Sequence, residues 1–228
     1  GNRSNAGKIL HFHVEKIILH PANKIGVLKY DIALMKTKGR IPYIWNRSVP
    51  ALLPLSKHIT QWPSAGTICT IVGWGCTRAG GRTNDVASVA KLKALNHQTC
   101  GRLLNGVGNG HQFCAGYYNS GIGTCSGDSG SGLVCKNHGS TTLMGVLSGI
   151  AAQQPQNYPG VYMRVAAFID WIRTQGDSGS ALVCNYYGSM TVMSLSSLIP
   201  HILLSNVPTI FVRMVMILDW IQTGMRRN

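Results

Sequence analysis

The stretch "TCSGDSGSGLVC", from Thr124 to Cys135, is the part of the sequence from which fold and function can be inferred. It places Ser129 on a tight turn whose flanking glycines allow backbone angles that other residues avoid. Such a turn exposes a hydroxyl and can direct the N–H groups of Gly127 and Ser129 at one oxyanion. A serine hydroxyl is a poor nucleophile alone and needs a histidine base that a buried carboxylate orients. The stretch therefore predicts a nucleophilic serine.

A second copy of the pattern, "GDSGSALVC", begins at Gly176, 49 residues after Gly127. Without a gap, the same shift aligns "DWIRT" with "DWIQT" further along the chain. Matches at Trp, Cys and Asp exclude low complexity as the explanation, and two copies are too few for a solenoid. The chain is therefore predicted to divide into one body, residues 1–175, and a partial duplicate of its last quarter, residues 176–228.

The composition indicates an ordered globular protein with a large positive charge. The 228 residues are 45% hydrophobic, and 21 Lys+Arg against 7 Asp+Glu give a net charge of +14. This charge attracts polyanions such as sulfated glycans; a basic surface without a dedicated partner is the other interpretation. Seven cysteines favour a secreted, disulfide-bearing protein with one odd thiol. No apolar run is long enough to span a bilayer, and no cofactor or metal site is predicted.

Short apolar runs predict a series of β-strands that ends in one helix. Strands are predicted over residues 11–21, 66–75 and 87–96, from Asp31 onward, and in a hairpin formed by "LVCKN" and "TLMGVLSGI". Helical spacing of apolar residues predicts a terminal helix over residues 166–175. Many short strands with turn punctuation indicate an all-β barrel architecture.

Five motifs follow one another along the chain: "DIALMK", "IVGWG", "FCAGYY", "GTCSGDSGSGLVC" and "PGVYMRVAAFIDWI". Together they resemble the trypsin-like, chymotrypsin-fold serine endopeptidases, and the granzyme, mast-cell protease and factor D branches look closest. The resemblance covers residues 9–175. It implies a secreted endopeptidase with a trypsin-like double β-barrel, here with an incomplete first barrel, a short C-terminal helix and an appended partial repeat. The partners that it implies are polypeptide substrates or inhibitors, with no specific nucleic acid.

The resemblance implies a role for each residue that matches a family motif. Ser129 matches the nucleophile, and Asp31, which opens "DIAL", matches the triad carboxylate. Gly127 and Ser129 match the oxyanion hole, and Ser148 in "VLSG" matches the serine that supports the triad aspartate. Asp128 matches the aspartate that pairs with a freed N-terminal ammonium in active members of the family.

Two features of the family have no match in this sequence. The family's histidine lies in an "AAHC" motif several dozen residues before the triad aspartate, whereas only thirty residues precede Asp31. His11, His13 and His20 occur in a strand that follows the histidine loop, and the "IVGG" N-terminus is missing as well. We therefore expect that the chain, N-terminally incomplete relative to the family, is inactive, and that Asp128 is a buried acid without a partner. The alternative is a basic, non-catalytic homologue that binds heparin-like glycans or microbial surfaces.

Four positions are implied to form the primary substrate pocket. Gly123 lies at its floor, where trypsins have Asp, which argues against recognition of Arg or Lys. Gly149 and Ile150 lie where the family has an aromatic residue and Gly, and Gly160 lies on the opposite wall. An Ile at the entrance favours a small aliphatic substrate side chain. A pocket that has drifted because nothing is cleaved is the other interpretation.

The resemblance also implies two disulfides, Cys69–Cys135 and Cys100–Cys114. Cys76, Cys125 and Cys184 have no family partner in this chain, and a link from Cys184 to either of the other two stays open. The second copy has no counterpart of the family's triad carboxylate or histidine motif, so Ser178 is not expected to be a nucleophile. Residues 176–228 are expected to pack poorly or to swap against the first body.

Overall fold

Strands dominate the computed structural model, which describes residues 11–24, 27–38, 41, 51–54, 61–104, 107, 110–137, 140–176 and 180–183. The strands are Val14–Leu19 (β1), Ala33–Thr37 (β2), Ile68–Gly73 (β3), Ser88–Lys93 (β4), Gln112–Ala115 (β5), Gly132–Asn137 (β6), Ser140–Gly149 (β7), Gly160–Arg164 (β8) and Ser180–Val183 (β9). The α-helices are His97–Leu103 (α1) and Ile169–Gly176 (α2), and short 3₁₀ segments occur at Pro155–Asn157 and Val165–Phe168.

Six strands form one antiparallel sheet in the order β4-β3-β6-β7-β8-β5. The last strand returns to the first, because Ala115 of β5 forms an antiparallel bridge with Ala94, which directly follows β4. The Leu95 N–H donates to the carbonyl of Cys114 at 2.9 Å and extends this junction. With its two ends joined, the sheet closes as a barrel. Its interior is filled by buried side chains that include Ile71, Leu92, Phe113, Leu133, Leu147 and Tyr162.

The second sheet has three strands in the order β1-β2-β9 and represents the first barrel in the described residues. Its central strand is buried: Ala33, Leu34 and Met35 are at most 2% exposed. Ile32 and Leu34 pack in one apolar cluster with side chains from the six-stranded sheet and from the C-terminal helical segment: Val134, Leu143, Val146, Met163, Phe168 and Ile172. The two sheets therefore share a core, which fixes β2 relative to β7.

An all-β, trypsin-like barrel fold with a short C-terminal helix, predicted from the sequence, is confirmed. The predicted strands correspond to β1, β2, β3, β4 and the β6–β7 hairpin, and the predicted helix corresponds to α2 together with the 3₁₀ turn before it. Helix α1 and strands β5, β8 and β9 were not predicted. Neither helix of the described residues has the length and apolarity needed to cross a bilayer.

Strand β9 belongs to the repeated segment and pairs antiparallel with β2, with Ala33 opposite Val183 and Lys36 opposite Ser180. The matching residues of the first copy, 131–134, lead into β6 at the centre of the other sheet. One short sequence therefore pairs with different neighbours in its two copies. Ser178, within residues 177–179, and residues 184–228 lie outside the described residues, so the other expectations for the repeat stay predictions.

Candidate active site

Ser129 lies on a turn, residues 127–131, that we call the serine turn. Gly127 has a φ of 95° and Gly130 a φ of 78°, which is the left-handed region that glycine adopts without a steric penalty. The Ser131 N–H closes the turn by donating to the Asp128 carbonyl at 2.9 Å. Ser129 is 7% exposed, and its hydroxyl has no hydrogen bond to any described residue.

Asp31 is buried immediately before β2 and is 4% exposed. The Ser148 hydroxyl of β7, itself fully buried, donates to its Oδ2 at 2.7 Å. The preceding residue, Tyr30, has a φ of 61°, and the Ile32 N–H donates to the Tyr30 carbonyl at 2.8 Å, so the backbone turns sharply at this point. The resemblance pairs Asp31 with Ser148 in this way.

Two adjacent residues of β7 bring Asp31 and the serine turn together. The Gly130 N–H donates to the Leu147 carbonyl at 2.7 Å, and the next residue, Ser148, holds Asp31. A charged hydrogen bond of this kind is short and stronger than a neutral one, so it fixes the carboxylate well. Gly130 of the serine turn and Asp31, which are far apart in sequence, are therefore hydrogen-bonded to consecutive residues of β7.

Asp128 has two partners, and the expectation that it would have none is wrong. Its Oδ1 accepts from the Gly75 N–H at 2.7 Å, and its Oδ2 accepts from the Cys125 N–H at 3.0 Å. Burial raises the pKa of Asp128, while the bonds from Cys125 and Gly75 act in the opposite direction. A Cβ on Gly73 or Gly75 would collide with the carboxylate, so the glycines of "GWG" make room for it. The sequence argument considered only a charged partner and overlooked main-chain donors.

A cavity of about 200 Å³ adjoins Asp128. Apolar groups form much of its wall, among them Ile71, Ala90 and Ile122. Asp128 is among the residues that line this cavity, and a carboxylate accepts hydrogen bonds, so the cavity suits a donor with positive charge.

Two of the glycines assigned to the primary pocket, Gly123 and Gly160, lie where a side chain would not fit. A Cβ on Gly123 would collide with the Pro155 carbonyl, and one on Gly160 would lie 2.7 Å from Thr124 Oγ1. A Cβ on Gly149 would lie 3.3 Å from the Leu28 side chain, which covers this point of β7. Ile150 is partly buried against the core of the six-stranded barrel. The sequence reasoning missed Leu28 and Thr124, which adjoin these glycines.

Five histidines fall within the described residues: His11, His13, His20, His97 and His111. None of them hydrogen-bonds to the Ser129 hydroxyl. His20 stacks on Tyr30 with ring centroids 5.1 Å apart, and His111 contacts the same ring at 4.8 Å. The expectation that the chain lacks the triad base stays a prediction.

Three disulfides join six of the seven cysteines: Cys69–Cys135, Cys76–Cys125 and Cys100–Cys114. The first and third are the pairs that the resemblance implies. The bond between Cys76 and Cys125 was not foreseen, since the open alternatives linked one or the other to Cys184. No spacing rule in the sequence indicates this pair, because pairing depends on proximity in the fold.

A closed β-barrel that carries a glycine-flanked serine next to a buried Asp–Ser hydrogen bond defines the class of barrel-fold serine hydrolases. The family model described as Trypsin matches residues 1–172 of the chain. Transmembrane protease serine 9 of Rattus norvegicus is 38% identical over 161 residues, which are 70% of this chain and 15% of the rat protein. The chain therefore belongs to the trypsin family of serine proteases, and it covers less than two thirds of this relative's length.

Proposed function

We propose that the chain is a serine endopeptidase unit in which Ser129 attacks the scissile carbonyl and Asp31 orients the base. The observation that supports this most directly is the tether on β7, where consecutive residues hold the serine turn and the buried carboxylate. The N–H groups of Gly127 and Ser129 are the proposed donors to the oxyanion. Family membership supports proteolysis as the reaction type.

We further propose that the 228-residue chain by itself does not hydrolyse peptides, because none of the described histidines hydrogen-bonds to the Ser129 hydroxyl to take its proton. Loss of the base reduces the rate of such an enzyme by several orders of magnitude. A fluorophosphonate probe tests this on the purified chain and on a Ser129→Ala control, with bovine trypsin labelled in parallel. We expect no labelling of either form, and labelling that depends on Ser129 would contradict the proposal.

The nucleophile role has a separate test, in which imidazole is supplied in solution as an external base. We expect fluorophosphonate labelling of the wild-type chain to increase with imidazole concentration, and the Ser129→Ala chain to stay unlabelled. Equal labelling of the two chains at every concentration would contradict the role of Ser129. The two experiments together separate a wrong nucleophile from a missing base.

Asp128 and its cavity are proposed to receive an N-terminal ammonium, the interaction that the family uses for activation. The Asp128 carboxylate and the apolar wall suit an α-amino group on a small aliphatic residue. Isothermal titration with the dipeptide Ile-Val tests this, with N-acetyl-Ile-Val and an Asp128→Asn chain as controls. We expect binding of the free amine alone, and equal binding of both dipeptides would contradict it.

A small aliphatic side chain is the proposed occupant of the primary pocket, since Gly123 supplies no charge at its floor. Peptides that end in Val, Phe or Arg, titrated against the chain, distinguish the alternatives. Preference for Val supports the proposal, whereas preference for Arg would contradict it. Equal weak binding of all three would favour the interpretation that the pocket has drifted.

The second candidate function is binding of sulfated polyanions by a non-catalytic homologue, favoured by the net charge of +14. Lys16 and Lys36 lie directly opposite each other in β1 and β2, and only Lys36 has a carboxylate partner, Glu15 at 2.9 Å. A Lys16→Glu chain that leaves a heparin column at the same salt concentration as the wild type would argue against this surface. The three disulfides support secretion into an oxidising compartment.

A further inference from the structure

The Cys76–Cys125 disulfide joins the two chain segments that enclose the Asp128 carboxylate. Cys76 follows Gly75, and the segment after Cys125 leads directly into the serine turn. The Cys76 N–H also donates to the Ser126 carbonyl at 2.9 Å, so a covalent and a hydrogen bond link the same two segments. Nothing in the proposed chemistry of Ser129 explains why these segments are bonded.

The two backbone N–H groups that donate to the Asp128 carboxylate lie at this disulfide. One is the N–H of Gly75, next to Cys76, and the other is the N–H of Cys125 itself. We call this arrangement the carboxylate clamp: Asp128 held by the N–H groups of residues 75 and 125. A disulfide limits how far its two segments can separate, so it keeps both donors within reach of one side chain.

We propose that Cys76 and Cys125 are a positioning pair: their disulfide holds the carboxylate clamp closed and thereby fixes the serine turn, and its reduction opens the clamp. The consequence for catalysis rests on the proposed role of Ser129, whereas the state of the clamp does not. Because Asp128 directly precedes Ser129, a displaced carboxylate moves the backbone N–H that is proposed to bind the oxyanion.

The chemical step is thiol–disulfide exchange with a dithiol. One dithiol thiolate attacks a sulfur of the Cys76–Cys125 bond, and the other cysteine leaves as a thiolate. The second dithiol sulfur then displaces the remaining cysteine, so the reagent becomes a cyclic disulfide. Two electrons and two protons pass from the dithiol to the cysteines.

This disulfide is the one that a dithiol can reach first. Cys76 is 6% exposed and Cys125 is 4% exposed, whereas the cysteines of the other two disulfides are at most 1% exposed. Exchange rates depend on access to the sulfur that is attacked. We therefore expect mild dithiol treatment to reduce this bond before the others, as peptide mapping with an alkylating agent would show.

Hydrogen–deuterium exchange of the full-length chain tests the clamp without requiring activity. A Cys76→Ser/Cys125→Ser chain should exchange the amides at positions 75 and 125 faster by about tenfold, as expected when an ordinary hydrogen bond is lost. The matched control is Cys100→Ser/Cys114→Ser, which removes a disulfide elsewhere and should leave these two amides unchanged. Reduction and reoxidation of the wild type provides the same comparison if the double variant does not fold.

An Asp128→Asn chain distinguishes a specific effect of the disulfide on the carboxylate clamp from a general loss of rigidity in the two segments. In this variant the clamp is already weakened, so removal of the disulfide should add little to the exchange at positions 75 and 125. Full additivity of the two changes would overturn the inference, and so would exchange within twofold of wild type in the double-cysteine variant. Failure of the Ser129 labelling tests would overturn the proposed function while leaving this result intact.

Discussion

Ser131, the last residue of the serine turn, and Ser148 of β7 are both buried, but the surroundings of their hydroxyl groups differ. Ser148 donates to Asp31 at 2.7 Å, whereas the Ser131 Oγ has no hydrogen-bond partner among the described residues. Both side chains are 0% exposed. The same substitution at the two positions therefore removes a charged hydrogen bond in one case and an unsatisfied hydroxyl in the other.

Ser148→Ala should lower the free energy of unfolding by about 2 kcal/mol, the usual cost of losing a hydrogen bond to a charged group. Ser131→Ala should stay within about 0.5 kcal/mol of the wild type or be more stable, because an unpaired buried hydroxyl is unfavourable. Urea denaturation followed by tryptophan fluorescence measures both. Equal destabilisation by the two substitutions would show that the hydrogen bond from Ser148 to Asp31 does not contribute to the free energy of unfolding.

Gly127 and Gly66 offer a second matched pair. Their φ angles are nearly the same, at 95° and 91°. A Cβ on Gly127 would lie 2.6 Å from Thr83 Cγ2, whereas one on Gly66 would have nothing within 4 Å. Gly66→Ala should cost about 1–2 kcal/mol for backbone strain alone. Gly127→Ala should cost about 1–3 kcal/mol more, the typical effect of overpacking; equal costs in thermal denaturation would contradict the crowding at Gly127.

At the scale of elements, an aromatic cluster connects β1, the segment before β2, the segment before β5 and the C-terminal helical segment. It consists of His20, Tyr30, His111, Phe168 and Trp171, whose ring centroids lie 4.8 to 6.2 Å apart in the contacting pairs. The cluster includes the residue immediately before Asp31. A change in the packing of these rings is therefore expected to displace the Asp31 carboxylate.

Acid should weaken this cluster. Burial lowers the pKa of His20, and the nearby His111 lowers it further; burial and Lys29 lower the pKa of His111. The Ala22 N–H donates to His20 Nδ1 at 3.2 Å, which requires that nitrogen to be unprotonated. The folded state then binds fewer protons than the unfolded state, so stability should fall as pH drops below the ordinary value of 6.5 and level off below the folded pKa.

Melting temperatures measured from pH 8 to pH 5 test this. A His20→Phe chain keeps an aromatic ring in the cluster and should lose less stability over that range than the wild type. A His97→Asn chain changes an exposed histidine outside the cluster and should follow the wild-type curve. If His20→Phe and the wild type lose the same amount, the cluster does not account for the acid sensitivity.

Local signals in the sequence predicted some elements and missed others. Apolar alternation was sufficient for β1 and β4, and motif order is the basis of the roles predicted for Ser129 and Asp31. Helix α1 was missed although Asn96 caps it, with Oδ1 accepting from the Thr99 N–H at 2.7 Å; the asparagine was the available signal. The donors to Asp128 and the Cys76–Cys125 bond could not be predicted, because both depend on distances between segments that only the closed barrel sets.

At the scale of the whole molecule, the repeated segment contributes a strand to the sheet that contains β2. The order β1-β2-β9 makes β9 the edge strand and leaves β2 paired on both sides. An unpaired strand edge is prone to association with other chains. Strand β9 of the repeated segment therefore covers one edge of β2, the strand that begins two residues after Asp31.

A proline placed in β9 should uncover this edge. Successive N–H groups of a strand point to opposite sides, so only one of positions 181 and 182 directs its N–H at β2. Of the variants Ala181→Pro and Leu182→Pro, one should raise the deuterium exchange of the β2 amides and promote self-association in sedimentation velocity. The other should resemble the wild type and serves as its matched control. If neither changes the exchange of Ala33–Thr37, the pairing of β9 with β2 does not persist in solution, and the repeat does not protect the sheet.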